Sequence, residues 1–384
     1  MLKTTVWRCA PKLAGLAVAL AMCSGPARAG GDLGKGAVYM MTNQVAGNQL
    51  AVFARDNKGL LEFPVFYNTG GFGAGTGLGS QGSIAVDAAG DTLYLVNAGD
   101  GSISVFDLSK KKPDLIQVIS SRGMFPNSVA VSGDLLYVLN AGGAHGAVDM
   151  ITGFTVDAKG KLTALANSTR SLSGPAVLPA QVSFSPNGNW IVVTERNGNN
   201  IDVFMVLGDG RTSAPTFTPS PVTDTLGFLF TSKGFLVTTQ ADNGAAPGTV
   251  SSYQILNNGT AQSITNSLGT GTQVAPCWIA ITANQKYMYT VNTGSATITA
   301  LGLDSKTGTL TLLNPVGGGG LAGILPPGTG PTDIAIEGSS VLYVNVGGSG
   351  QIAAFTIGKG GSLDELFLSP AEVMPTSAAG MVVR

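Results

Sequence analysis

One β-unit recurs along nearly the whole chain, and this repetition constrains the fold more tightly than any other feature. Each unit opens as Pro-x-x-[Ile/Val]-Ala-[Val/Ile], turns, and continues as [Leu/Met]-Tyr-x-Val-Asn. It then passes a Gly-rich turn and closes on an Ile-x-x-Phe-like strand. Units start near Gln81, Pro126, Pro179, Thr223, Pro276, Pro331 and Pro375, spaced 44 to 55 residues apart. That spacing is the size of a four-stranded antiparallel sheet. Turns such as Asp87-Ala88-Ala89-Gly90 and Pro186-Asn187-Gly188 join first to second strands as hairpins. No helical periodicity of useful length interrupts the pattern, so the chain is expected to be all-β.

The two ends of the repeat give its closure. Ala37–Asn43 reads as a second strand with no first strand before it, and Pro375–Val383 reads as a first strand with nothing after it. Together they complete one sheet, pairing the C-terminal strand with the N-terminal blade and removing the edges an open array would expose. Six complete units plus this composite predict a seven-bladed β-propeller of four-stranded antiparallel blades. The inner strands alternate large and small residues (Ser83-Ile84-Ala85-Val86, Trp278-Ile279-Ala280-Ile281), as stacking near a crowded axis requires.

Residues 1–29 are set apart. Lys3, Arg8 and Lys12 precede an apolar run from Leu13 to Met22, and Ala27-Arg28-Ala29 is a small-x-small cleavage pattern. This is the three-part layout of a secretory signal peptide, and the run is too short to span a membrane. The expectation is cleavage after Ala29 and a single secreted or periplasmic domain over 30–384; lipid anchoring at Cys23 is the weaker alternative, because bulky Met22 precedes it. Cleavage leaves Cys277 alone, so no intramolecular disulfide forms and stability rests on packing. It also leaves 17 basic and 22 acidic residues. A mildly acidic surface whose one basic run is Lys110-Lys111-Lys112 argues against nucleic acid or anionic membranes as partners. A monomer is expected.

The blade geometry places first-strand starts, second-strand ends and inter-blade loops on one face. The expected site is the channel mouth on that face, open to a small molecule or a protein. Its ring reads Ser83, Ser128, Gln181, Thr225, Trp278, Asp333 and Ser377. The asparagines ending second strands (Asn43, Asn97, Asn140, Asn292, Asn345) are expected to bond backbone in the turns they begin. The unit that starts at Pro179 breaks this pattern with Glu195-Arg196: either a carboxylate that positions water beside a substrate-holding guanidinium, or a salt bridge in place of the amide. Asp224 and Asp333 are too few oxygens for Ca²⁺, and His145, the only histidine, excludes a His-rich metal site. No metal and no cofactor are expected. Gly71–Gly82 lacks Gly-Lys-[Ser/Thr] and a following helix, so it reads as a flexible connection rather than a phosphate loop. No Gly-x-Ser-x-Gly elbow appears, His145 reads as a surface-loop residue, and Cys277 reads as an inert thiol.

Three segments carry a resemblance: Tyr39–Asn48, Ala180–Gly188 with Val193-Thr194-Glu195, and Tyr289–Ser295. They are similar to the seven-bladed propeller lactonase family, which includes 6-phosphogluconolactonase and carboxymuconate cyclase, and the likeness spans about residues 36–384. It implies opening or closing of small, often carboxylated or sugar lactones by polar residues and arginines at the channel mouth. By position, Glu195 and Arg196 match acidic and basic site residues. The chain departs from the family where histidines precede the inner-strand [Ile/Val]: it has Ser128, Gln181, Thr225, Trp278 and Asp333. Two functions follow. One is a lactonase-like enzyme with Glu195 or Asp333 activating water, Arg196 holding substrate, and Gln181, Ser128, Thr225 and Trp278 lining the site. The other is a non-catalytic extracytoplasmic binding scaffold using the same face.

Overall fold

The computed structural model describes residues 36–244, 247–315 and 318–384; the expected signal peptide and its cleavage site lie outside them. Seven antiparallel sheets form the blades. Blade 1 begins with Ile84–Val86, blade 2 with Pro126–Ser132, blade 3 with Pro179–Phe184, blade 4 with Thr225–Phe230, blade 5 with Pro276–Ile281 and blade 6 with Asp333–Glu337. Blade 7 is the expected composite, with Ala379–Val383 innermost and Ala37–Met41, Gln49–Ala54 and Val65–Asn68 outside it. Val38 pairs Val383 and Met40 pairs Met381, so the two ends of the chain close the ring. In blades 2 and 5 the outermost strand is split in two, Leu162–Ala164 with Arg170–Ser171 and Leu310–Leu312 with Leu321–Ile324. Helix among the described residues is confined to 3₁₀ turns of three or four residues.

In four blades the tyrosine of the repeat fastens the blade to the next. Tyr94, Tyr137, Tyr289 and Tyr343 are fully buried on second strands. Their hydroxyls donate to the carbonyls of Gly160 (3.0 Å), Gly210 (2.9 Å), Gly361 (3.2 Å) and Gly59 (2.8 Å), each in the lower hairpin of the following blade. At Gly160 and Gly210 φ is +78° and +82°, and an added Cβ would strike Thr92 and Leu135. Glycine therefore lets the hairpin take a left-handed turn close under its neighbour.

A second set of inter-blade bonds lies at the axis. The first strand of a blade has a free inner edge, whose buried N–H groups need acceptors. Val182 N donates to Ser128 Oγ of the preceding blade at 3.1 Å, and Phe228 N to Gln181 Oε1 at 2.8 Å. Gln81 reaches across the axis from blade 1 to blade 5. There it accepts from Ile279 N at 3.2 Å and donates to Ile279 O at 2.8 Å, as a paired strand residue would. Gly227 makes room for it, since a Cβ there would lie 2.4 Å from Gln81 Oε1.

Replacing Gln81 with alanine is expected to cost about 1–3 kcal/mol by leaving Ile279 unsatisfied. Gly227→Ala is expected to destabilise as well, with part of its cost relieved in the double variant. Urea unfolding of the four proteins checks this coupling.

Candidate functional site

The upper face, where inter-blade connections gather, was expected to open into a channel mouth; the loop of residues 69–83 fills it instead. Ser80 Oγ donates to Asn127 O at 2.7 Å, Gln81 N donates to Ala180 O at 3.0 Å, and the Gln81 side chain spans to Ile279. The glycine-rich segment read as a flexible connection is thus pinned to blades 2, 3 and 5.

The expected ring residues are drawn together here but enclosed. Ser128, Gln181, Trp278 and Asp333 are all buried. Ser128 and Gln181 are the acceptors just described, and Ser128 Oγ also donates to Gln81 O at 2.7 Å. Asp333 Oδ1 accepts from Ile334 N at 2.9 Å. Burial pushes the Asp333 carboxyl up to about 7, partly offset by the N–H groups of Ile334, Gly380 and Met381, the last two on the inner strand of blade 7. Thr225 does not belong to the ring. A register shift puts it opposite Gln240, as Pro126 is opposite Asn140 and Pro276 opposite Asn292, and Gly227 takes the axial place.

Glu195 and Arg196 do not form the expected pair. The Glu195 carboxylate is fully buried. It accepts from Ser173 N at 2.9 Å, from Ser173 Oγ, and from Asn200 Nδ2 at 3.3 Å. Asp202 lies beside it, and burial first, then the Glu195 charge, hold its carboxyl well above the ordinary carboxylate range. The pair replaces an arrangement seen in blades 1 and 5. Asn97 donates to Ser102 and Ser104 there, and Asn292 to Thr297 and Thr299. These asparagines bond third-strand hydroxyls, and Asn43, Asn140 and Asn345 donate to carbonyls of inter-blade segments, rather than to the turns they begin.

Arg196 turns the other way. Its Nε donates to Asp224 Oδ1 at 2.6 Å, and the arginine side chain is 33% exposed. The terminal nitrogens have no partner among the described residues, and a Cβ at Gly79 would lie 3.1 Å from Nη1, so the guanidinium sits against the loop that fills the mouth. Its backbone is fixed by a device shared among blades. The residues preceding four first strands (Phe125, Leu178, Asp224, Ala275) have φ of 50° to 59°. Their carbonyls accept from Ala141, Arg196, Ala241 and Thr293 N. Asp224 is one of them, so the same device holds both ends of the Arg196–Asp224 bridge. Cys277 stands nearby, with burial pushing its thiol up to about 11 and Sγ donating to Ala275 O at 3.3 Å. Sequence reasoning noticed Asp224 but linked it to Asp333, because a left-handed residue next to an arginine of the preceding blade leaves no local signal.

Charge divides between the two faces. Every lysine among the described residues lies in a lower-face turn, and upper-face turns carry only Arg122 and Arg196. Among the described residues, no three His, Cys, Asp or Glu side chains gather as a metal site, and no helix is long and apolar enough to cross a membrane.

A ring of seven four- or five-stranded blades, closed by the chain's own ends, defines a seven-bladed β-propeller. The family described as "Lactonase, 7-bladed beta-propeller" matches residues 38–171 and 234–373, and the chain belongs to it. Among solved structures it is similar to a periplasmic gluconolactonase of Pseudomonas aeruginosa, at 16% identity and TM-score 0.70, covering 91% of this chain and 98% of that one. It is also similar to a putative 6-phosphogluconolactonase of Bacteroides fragilis, at 17% identity and TM-score 0.67, covering 93% and 100%. Similarities this distant show the fold. No curated protein matches the sequence.

Asp333 gives the axis a pH dependence. Its folded value lies above the ordinary carboxylate value of about 3.9, so its stabilisation is complete below about pH 4 and is lost as pH rises to about 7. The unfolding midpoint is expected to fall over that window, and to fall less in Asp333→Asn, the remaining slope belonging to Asp202. Thermal unfolding from pH 4 to 7.5 checks this.

Proposed function

We propose that this protein opens a small carboxylated or sugar lactone at the upper face, with Arg196 holding the substrate's carboxylate. The observation that carries this reading is the Arg196 guanidinium itself. It is anchored through Nε to Asp224 at 2.6 Å, while its terminal nitrogens are unpartnered beside the loop that fills the mouth. A fixed fork with free donors suits bidentate recognition of a carboxylate. Because the lysines lie on the other face, an anion arriving near the axis meets Arg196 with little competition.

In this reading Asp224, rather than Glu195 or Asp333, takes the proton from the attacking water. Water adds to the lactone carbonyl, the ring C–O bond breaks, and Asp224 returns the proton to the leaving alkoxide to give a hydroxy acid. Glu195 acts indirectly, by holding down the turn that carries Arg196. Gln181, Ser128 and Trp278 support the mouth from beneath, and Thr225 opens the strand that follows Asp224. Family membership and the gluconolactonase names of the structural neighbours support the substrate class. Export after Ala29 and a monomeric state complete the reading, the former supported by the 1–29 pattern and the periplasmic neighbour.

One observation favours the second reading, binding without turnover. Glu195 and Asp333 are both sealed from solvent, leaving Asp224 as the carboxylate beside Arg196. Purified mature protein assayed on aldonolactones and carboxylated lactones separates the two. Turnover is expected, with Arg196→Gln lowering kcat/KM by roughly ten- to hundredfold and mainly through KM. Asp224→Asn is expected to lower kcat. Saturable binding of these lactones without any ring opening would establish the scaffold reading instead.

A further inference from the structure

Away from the axis, over blades 7, 1 and 2, the upper face holds a cleft of about 660 Å³. That is within the range of small-molecule pockets, roughly 300–1,000 Å³. Its floor is bare peptide. A Cβ at Gly73 would lie 2.0 Å from the Asn43 carbonyl carbon, and one at Gly99 would lie 2.2 Å from Gly73 O, so only glycine fits. Gly99 N donates to Phe72 O at 2.9 Å, which locks the two loops together.

The walls are aromatic and apolar. The rings of Phe125 and His145 stack with centroids 4.0 Å apart and planes inclined by 17°. The His145 turn is held by buried Asp149, which accepts from Gly143 N and Val177 N at 2.7 Å each. Phe72 and Met124 are 51% and 50% exposed, so large apolar groups stand in solvent around one concavity. A cluster of that kind marks a binding surface more often than isolated exposed residues do.

Charge selects the occupant. Asp100 is the carboxylate among the lining residues, its oxygens accepting from Phe72 N at 3.1 Å and Ser102 Oγ at 2.7 Å, and no lysine or arginine lines the cleft. An anion would face Asp100 without a counter-charge. A neutral flat ring would stack on the His145–Phe125 wall and the peptide floor, and the His145 nitrogens, unpartnered among the described residues, would bond its hydroxyl. We propose that this cleft is a second binding site, separate from Arg196, for an uncharged hydroxylated aromatic molecule.

Fluorescence titration of the mature protein with 2-naphthol, and with 2-naphthoate as its anionic counterpart, tests this. Expected is saturable 2-naphthol binding, at least tenfold tighter than 2-naphthoate. Phe72→Ala and His145→Ala, both exposed and so compatible with folding, are each expected to loosen it by roughly three- to tenfold. Arg196→Gln is expected to leave it unchanged. Non-saturable binding, equal affinity for the anion, or indifference to both cleft variants would overturn the proposal. So would a concentration-dependent dimer that Phe72→Ala abolishes, which would make the cleft a contact between copies of the chain.

Discussion

The free inner edge of each first strand is the constraint from which most of this structure follows. A four-stranded blade hides its two middle strands between partners and turns its outermost edge to solvent, but the innermost presents N–H groups to a narrow axis where water has little access. Each one left unsatisfied there costs about 1–3 kcal/mol. The chain meets this demand with side chains of neighbouring blades, Ser128 for Val182 and Gln181 for Phe228, and with Gln81 crossing the axis to Ile279. Polarity at the centre of the ring is thus first a matter of joining blades. The hydroxyls of Tyr94, Tyr137, Tyr289 and Tyr343 do the same farther out at four of the seven junctions, and among the described residues no disulfide contributes.

This constraint moves the chemistry off the axis. Once Ser128, Gln181 and Asp333 serve the inner edges and the 69–83 loop has entered the mouth, few axial groups are free to meet a ligand. What the upper face still offers are groups held by the turns above the blades. The left-handed residues before four first strands fix those turns, and at Asp224 that position coincides with an anchor for Arg196. The backbone device that precedes these four first strands therefore also orients the Arg196 guanidinium beside the mouth.

The blade count, strand boundaries and composite closure were legible in the sequence because they depend on local patterns: period-two alternation, turn residues and spacing. Thr92–Asn97, Trp190–Glu195 and Tyr287–Asn292 are second strands with the bounds read from the motif. The polar ring was legible as a set, but its roles were not. Whether Gln181 faces a ligand or the N–H of Phe228 depends on the next blade, 47 residues away. Thr225 was misplaced because blade 4 lacks the opening proline: Thr225 stands where Pro126 and Pro276 stand in their blades, and Gly227, two residues on, takes the axial place. Glu195 and Arg196 looked like a pair because they are adjacent. Adjacent residues at a strand end point to opposite sides, however, so one is buried against Asp202 and the other reaches Asp224. The Phe125–His145 stack joins two loops 20 residues apart and has no sequence signature.

The 69–83 loop ties these observations together. Its first half, at Phe72 and Gly73, forms part of the off-axis cleft, and its second half, from Gly79 to Gln81, lies against Arg196 and spans the axis. Between them Asn43 accepts from Ala74 N at 2.8 Å and donates to Thr76 O at 2.7 Å, anchoring the middle to blade 7. Glycine is dense in this segment because it must cross three blades in close contact with their backbones; freedom to move is not what it supplies. A loop anchored at its centre and built into both regions cannot shift at one end without straining the other. Its composition, which in isolation suggests a flexible connector, is what lets it be a rigid part of both surfaces.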